Sequence, residues 1–300
     1  MVEQASPLGG AAPGIVERAT TSRAWRTFGR ILANRGAAIG FGIVVVLLVV
    51  AALAPWISPY DPTRMGAGGR LLAPTWAHPF GTDEFGRDLL SRVIHGTRLT
   101  LQIGLIAVGI SLSAGLLIGL VSGYARGWIE RCLMRGVDVL MSFTETLIAL
   151  AAVAVLGPSL TNAMIAVGIA AVPVYARVTY SVTLVERNKP YFEAAYAAGA
   201  GHGRLLFRHL LPNIVPPLIV VATLGVSTAV LAAAALSFLG LGAQPPSPEW
   251  GAMLAGARDY ISRAPWMMIF PGLAIVVSVL AFNLLGDGVR EALDPRQHRD

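Results

Sequence analysis

Three hundred residues, 55% hydrophobic and only 13% charged, exclude an ordinary soluble domain, in which roughly 25% of residues carry charge. The net charge of +6 is almost all arginine, with Lys189 the single lysine. The arginines cluster at the ends of apolar runs, which marks membrane topology rather than a nucleic-acid surface. The single cysteine, Cys132, supports neither a disulfide framework nor a cysteine-built metal site.

The apolar residues fall in blocks of about twenty, the length that crosses a hydrocarbon core of roughly 30 Å. The alternation of a membrane barrel is absent. The chain therefore reads as an all-α membrane protein with six transmembrane helices, the lipid bilayer its solvent.

Residues 1–21 mix Gly, Ala, Pro and Ser and are expected to form a disordered tail. Within 22–57, Trp25, Phe28 and Leu32 share one helical face opposite Arg23, Arg26 and Arg30, the pattern of an interfacial helix on an anionic leaflet. The first span follows at about 36–57, too long and too far from residue 1 for a secretory signal. Arg18, Arg23, Arg26, Arg30 and Arg35 precede it and place the N-terminus in the cytoplasm. Residues 58–96 form an outside loop that also carries arginines but is long and holds four acids.

The second span covers about 99–123. Arg126, Arg131 and Arg135 bring the chain back inside. The third span runs from about 137 to 156, and the turn Gly157-Pro158-Ser159 leads to the fourth, about 160–183. A cytoplasmic loop of about 184–212 follows. The fifth span, about 214–240, has Pro216 and Pro217 in its first turn, where missing N–H groups cost little. A second outside loop precedes the sixth span, about 266–286, and Arg290, Arg296 and Arg299 keep the C-terminus inside. No repeat of 20–50 residues is visible.

Few residues in this pattern suggest chemistry. His78, Asp83, Glu84, Asp88 and His95 invite a metal, but their spacing fits no ligand geometry. Glu145 lies about two turns into the third span, where an ionisable side chain is a functional hypothesis by default. Three roles stand open for it: facing a water-filled path and a substrate amine, pairing with an arginine of a partner subunit, or remaining protonated. Asn283, in the sixth span, is a candidate for the same path or for a hydrogen bond to a neighbouring helix. Asp138 lies near Arg135 and reads as its structural pair. Small residues, among them Gly104, Gly109, Gly115, Gly119 and Ala232 to Ala235, suggest close helix packing. Lys189 is followed by Pro190 and lacks the glycines of a phosphate-binding loop, so any ATP is bound by another chain.

The cytoplasmic loop holds the most informative stretch. Tyr191, Phe192, Ala195, Tyr196 and Gly199 can share a face of a short helix opened by Pro190 and closed by Gly199 and Gly201. Such a helix, flanked by Arg187, Lys189, Arg204 and Arg208, suits a groove on another protein. Glu193-Ala194-Ala195, three residues, Gly199, nine residues, and then Leu211-Pro212 two places on resemble the EAA loop of ABC-importer permeases, with His209 at the usual aliphatic position. Gly81-Thr82-Asp83, Gly86-Arg87-Asp88 and Ser91-Arg92 resemble the region before the second span of dipeptide- and oligopeptide-type permeases. Leu236-Ser237-Phe238-Leu239-Gly240-Leu241-Gly242, Trp250-Gly251 and the run from Asn283 to Pro295 also resemble that family.

The resemblance covers about 22–295 and implies a type I ABC importer permease fold in a bacterial inner membrane, with 97–295 as its transmembrane domain. It implies a related permease as partner in a heterodimer, two ATP-binding subunits that hold ATP and magnesium, and an extracytoplasmic substrate-binding protein. The chain itself would catalyse nothing and hold no cofactor or metal. Tyr191, Phe192, Glu193, Ala194, Ala195, Gly199 and Pro212 would couple it to the ATPase. Substrates among such relatives include di- and oligopeptides, nickel complexes, glutathione and other small solutes. Two features depart from the pattern. Ala233 stands where many relatives carry glutamate, and Glu145 where a proline or small residue is common. A secondary transporter would need paired broken helices and more buried charge. An intramembrane serine protease would need a histidine at depth, and all five histidines lie in loops or at membrane edges.

Overall fold

A computed structural model describes residues 34–293. The expected tail, most of the interfacial helix, and Asp294 and Pro295 lie outside the described residues. The chain is almost wholly helical, with one isolated bridge between Thr82 and Asp88 among the described residues. Among the described residues, five helices are long and apolar enough to cross a membrane, or six when a bent helix pair is counted as one span.

Helix α1, Arg35–Ile57, starts where the Asn34 side chain accepts the Ala37 N–H at 3.1 Å. Helix α2, Leu89–Ala125, is 37 residues long, about 55 Å at the usual rise. It begins inside the segment expected to be loop, because the Asp88 carboxylate accepts the Ser91 N–H at 2.8 Å and its hydroxyl at 2.6 Å. This buried N-cap carries the helix outward beyond the hydrocarbon.

The expected third span is two helices, α3 (Trp128–Met141) and α4 (Glu145–Leu156), meeting at 93°. No glycine or proline makes the break. Thr144 instead caps α4 by accepting the Leu147 N–H at 3.3 Å, a side-chain bond that competes with continuing the helix. Helix α3 is amphipathic and lies along α5, Leu160–Arg187. Asp138 pairs there with Arg177 of α5, not with Arg135, and Tyr180 donates to Glu130 at 2.5 Å.

The coupling segment contains α6, Pro190–Ala197. A helical turn at His202–Arg204 and a π-helical turn at Leu205–Leu210 then run into α7, Leu211–Phe238. Pro216 and Pro217 are thus well inside a helix that starts earlier than its hydropathy suggests. Pro212 lacks an N–H, which frees the carbonyl four residues back and favours the wider turn before it. Helix α8, Trp250–Ala257, occupies the second outside loop, and α9, Trp266–Leu293, completes the bundle.

Small residues set the packing. A Cβ on Gly115 would lie 2.4 Å from Tyr175 Cβ, and one on Gly119 would lie 2.5 Å from the Ala176 carbonyl oxygen, so α2 and α5 touch nearly backbone to backbone. Gly40 brings α1 equally close to Ala281 and Leu285 of α9. Gly109 has no neighbour within 4 Å and takes no part. The main core joins α2, α4, α5, α7 and α9 through Ile103, Val153, Val167, Val230 and Phe282.

Candidate functional site

Helix α6 is fastened to the membrane bundle by one apolar anchor and one polar tie. Phe192 is buried against Leu120, Leu205, Leu210 and Ile214, with Ala195 half-buried beside them. The polar tie centres on Glu186, a buried residue in the last turn of α5. Its carboxylate accepts the Tyr191 hydroxyl at 2.9 Å and pairs with Lys189. Asn213 donates to the His209 carbonyl at 2.7 Å and to the Tyr191 oxygen at 3.3 Å. The two ends of the loop therefore meet at Tyr191. Its phenol is pushed up to about 12, first by desolvation and then by the Glu186 carboxylate, so it remains a donor at neutral pH. Arg187 adds a second fastening by donating to the Tyr124 carbonyl at 2.6 Å.

The remaining expected coupling residues face away from the chain. Glu193 and Ala194 are exposed, and the Glu193 side chain has no hydrogen bond or ion pair among the described residues. Gly199 ends the helix at φ +77°, with open space beside it. Pro212 is exposed at the start of α7. Tyr196 and Phe207 are 65% and 69% exposed, so this face presents aromatic rings between Arg204 and Arg208.

Sequence reasoning missed Glu186 and gave Asn213 no role. Glu186 sits five residues before Tyr191 and across Pro190, a spacing that no single helix face would bring together. The Leu-Pro signature drew attention to Pro212 rather than to Asn213 beside it.

Glu145 and Asn283 are not brought together. Glu145 is exposed in the first turn of α4, after the break and not two turns into a span. It borders a cavity of about 70 Å³ between α2, α4, α5 and α7. Asn283 accepts from Ser227 Oγ at 2.7 Å, which ties α9 to α7 away from that cavity. Ala233 is fully buried in the main core.

The outer face carries a second polar cluster. Asp83 accepts Arg87 Nε at 2.5 Å, and Glu84 accepts Arg87 Nη2 at 3.3 Å. Arg92 donates to the carbonyls of Pro62, Pro246 and Ser247, joining both outside loops to α2. His78 contacts Asp88 at 2.9 Å. Glu249 caps α8 through the N–H groups of Gly251 and Ala252, yet burial still pushes its carboxyl above the ordinary value. Burial likewise raises the Glu84 carboxyl. Among the described residues no three metal-binding side chains converge. The cluster holds loops together.

This arrangement is that of a transport component: a bundle of membrane-crossing helices, a capped outer face, and a helix presented on the cytoplasmic side. The fold is similar to that of a chain of the MetNI methionine ABC transporter in its inward-facing conformation. That match has a TM-score of 0.58 at 20% identity and covers 69% of this chain and 98% of that one. The family model for the inner membrane component of binding-protein-dependent transport systems matches residues 115–299, and that for the N-terminal transmembrane domain of oligopeptide transport permease C matches 21–74.

The chain belongs to this family of ABC-importer permeases, and it is a multi-pass inner-membrane transport subunit rather than an enzyme. It is 47% identical to the di/tripeptide transport system permease protein DppC of Pseudomonas aeruginosa, with 95% of each chain covered. It is 46% identical to the dipeptide transport system permease protein DppC of Escherichia coli K12, over 91% of this chain and 92% of that one. Identity to the glutathione transport system permease protein GsiD of Pectobacterium atrosepticum is 44%, over 91% of this chain and 91% of that one.

Proposed function

We propose that this chain is the membrane-spanning permease subunit of an ATP-driven importer of di- and oligopeptides. It forms the translocation path with a related permease and couples to separate ATPase subunits through α6. The observation that carries the coupling role is the construction of that helix: Phe192 and the Glu186–Tyr191–Asn213 tie fix it to α5 and α7, while Glu193, Ala194 and Gly199 stay open to a partner. A push on such a helix moves the membrane helices as rigid bodies, the requirement for alternating access. Two ATP-binding subunits hold ATP and magnesium, and an extracytoplasmic binding protein delivers the cargo.

The peptide assignment draws on relatives named for di- and tripeptide transport at 43–47% identity. The glutathione permease relative supports a second reading, in which the cargo is glutathione, itself a tripeptide.

The test is purification of the tagged chain with its co-expressed partners from mild detergent, with ATP hydrolysis measured in the eluate. The expected result is a co-purifying ATPase that is lost when Glu193 and Gly199 are both replaced. A subunit that elutes without ATPase activity in several detergents would contradict the coupling role.

A further inference from the structure

The cavity beside Glu145 has a one-sided chemistry. Its volume, about 70 Å³, is several times the roughly 10–15 Å³ that one water needs on this measure. Four hydroxyls, those of Ser111, Thr146, Tyr175 and Thr228, line it together with the Glu145 carboxylate. Three of them give their proton to a main-chain carbonyl: Ser111 to Ala107 at 2.6 Å, Thr228 to Gly225 at 3.0 Å, and Tyr175 to Val221 at 3.4 Å. A hydroxyl that donates to a carbonyl has only lone pairs left to offer. Glu145, Ser111, Tyr175 and Thr228 therefore offer acceptors, and the Thr146 hydroxyl is the one lining side chain left to donate.

Glu145 itself has no hydrogen bond or ion pair among the described residues, and no cationic side chain lines the cavity. A carboxylate among apolar spans is costly unless a cation meets it. Acceptors that outnumber donors, arranged around one negative charge, disfavour anions and suit a group that brings its own N–H bonds and a positive charge.

We propose that Glu145, Ser111, Tyr175 and Thr228 form a cation-recognising subsite on the translocation path, which takes the primary ammonium group of the cargo. This rests on the peptide reading for the source of the ammonium, the amino terminus or a basic side chain. The subsite itself is a property of this chain. The 93° break before Glu145 is what creates it, because it sets the first turn of α4 against α2, α5 and α7.

Two measurements on the complete reconstituted complex separate these levels. In the first, Thr228→Cys is combined with Cys132→Ser, and the thiol is modified by a cationic and an anionic methanethiosulfonate reagent. Each rate is divided by that reagent's rate with a free thiol. The expected cationic-to-anionic ratio is about tenfold above one, falling to near one when Glu145→Gln is added. A ratio near one with Glu145 intact, or one unmoved by Glu145→Gln, overturns the subsite whatever the cargo is.

In the second, import of a peptide with a free amino terminus is compared with import of its desamino analogue. The binding protein's own preference is common to both complexes and cancels when the wild-type ratio is divided by that of Glu145→Gln. The expected quotient is about tenfold, with binding-protein-stimulated ATP hydrolysis retained. A quotient of one overturns recognition of the amino terminus. A wild-type complex that hydrolyses ATP but imports no peptide overturns the peptide reading and leaves the reagent result to decide the subsite.

Discussion

Gly199 ends α6 at φ +77° with nothing within 4 Å of where a side chain would begin. Its role is therefore conformational on one side and open contact on the other. A residue with a Cβ in this region costs roughly 1–2 kcal/mol, less for asparagine. Gly199→Asp adds charge to that cost on the face left open for a partner. It is expected to abolish uptake while membrane insertion, measured by fractionation, stays normal, and Gly199→Asn should retain more activity. Normal uptake by Gly199→Asp would contradict the coupling role.

Glu249 supplies a second test at this scale. Its folded carboxyl is pushed above its ordinary value because burial outweighs the N–H donors that it accepts. An acid raised on folding destabilises the folded state as pH climbs from the unfolded value through the folded one. Acidification from neutrality should therefore raise the melting temperature of the purified subunit. Glu249→Gln should flatten part of that slope, and Glu84, shifted in the same direction, should retain the rest.

On the proposed coupling role, force passes through the joint at the N-terminal end of α6, where Tyr191 and Phe192 are held. Hydrogen bonds to a charged group contribute about 1.5–3 kcal/mol, and the exposure of Tyr191 places its bond to Glu186 at the low end. Glu186→Gln and Tyr191→Phe should each reduce binding-protein-stimulated ATP hydrolysis several-fold. The double variant should be little worse than either single one, since both break the same joint. Additive losses would mean that the two residues act separately.

The α2–α5 seam makes a parallel prediction about stability. Gly119→Leu would force its side chain into the Ala176 backbone and should cost about 1–3 kcal/mol, read as a lower melting temperature. Gly109→Leu, with open space around it, should leave the isolated subunit unchanged.

Much of this level was legible in the sequence. Hydrophobic blocks located the spans, and the Glu-Ala-Ala-to-Leu-Pro spacing located α6. What was not legible depended on side-chain capping and on contacts across turns. Asp88 starts α2 early, Thr144 breaks the third span, and Glu186 meets Tyr191 around a proline. None of these leaves a hydropathy or periodicity signal.

At the scale of the molecule, two rigid ends enclose a small-residue bundle. The outer end is bound by Arg92, whose guanidinium reaches Pro62, Pro246 and Ser247, and by Trp266, which donates to Thr82 at 3.2 Å. The inner end is bound through Glu186. Between them the helices meet through glycine and alanine, which permits close packing without interlocking bulk. The resemblance to importer permeases was carried by signatures at both ends, while the bent third span and the cavity beside Glu145 needed the three-dimensional arrangement.

The central claim is that this permease draws on ATP hydrolysed by partner subunits through α6 to import peptides. The most direct measurement is accumulation of a radiolabelled dipeptide in proteoliposomes that hold the full complex, with binding protein outside and ATP inside. The account predicts accumulation against a gradient that requires ATP and disappears with Gly199→Asp. Accumulation without ATP, or equal accumulation by Gly199→Asp, would contradict it.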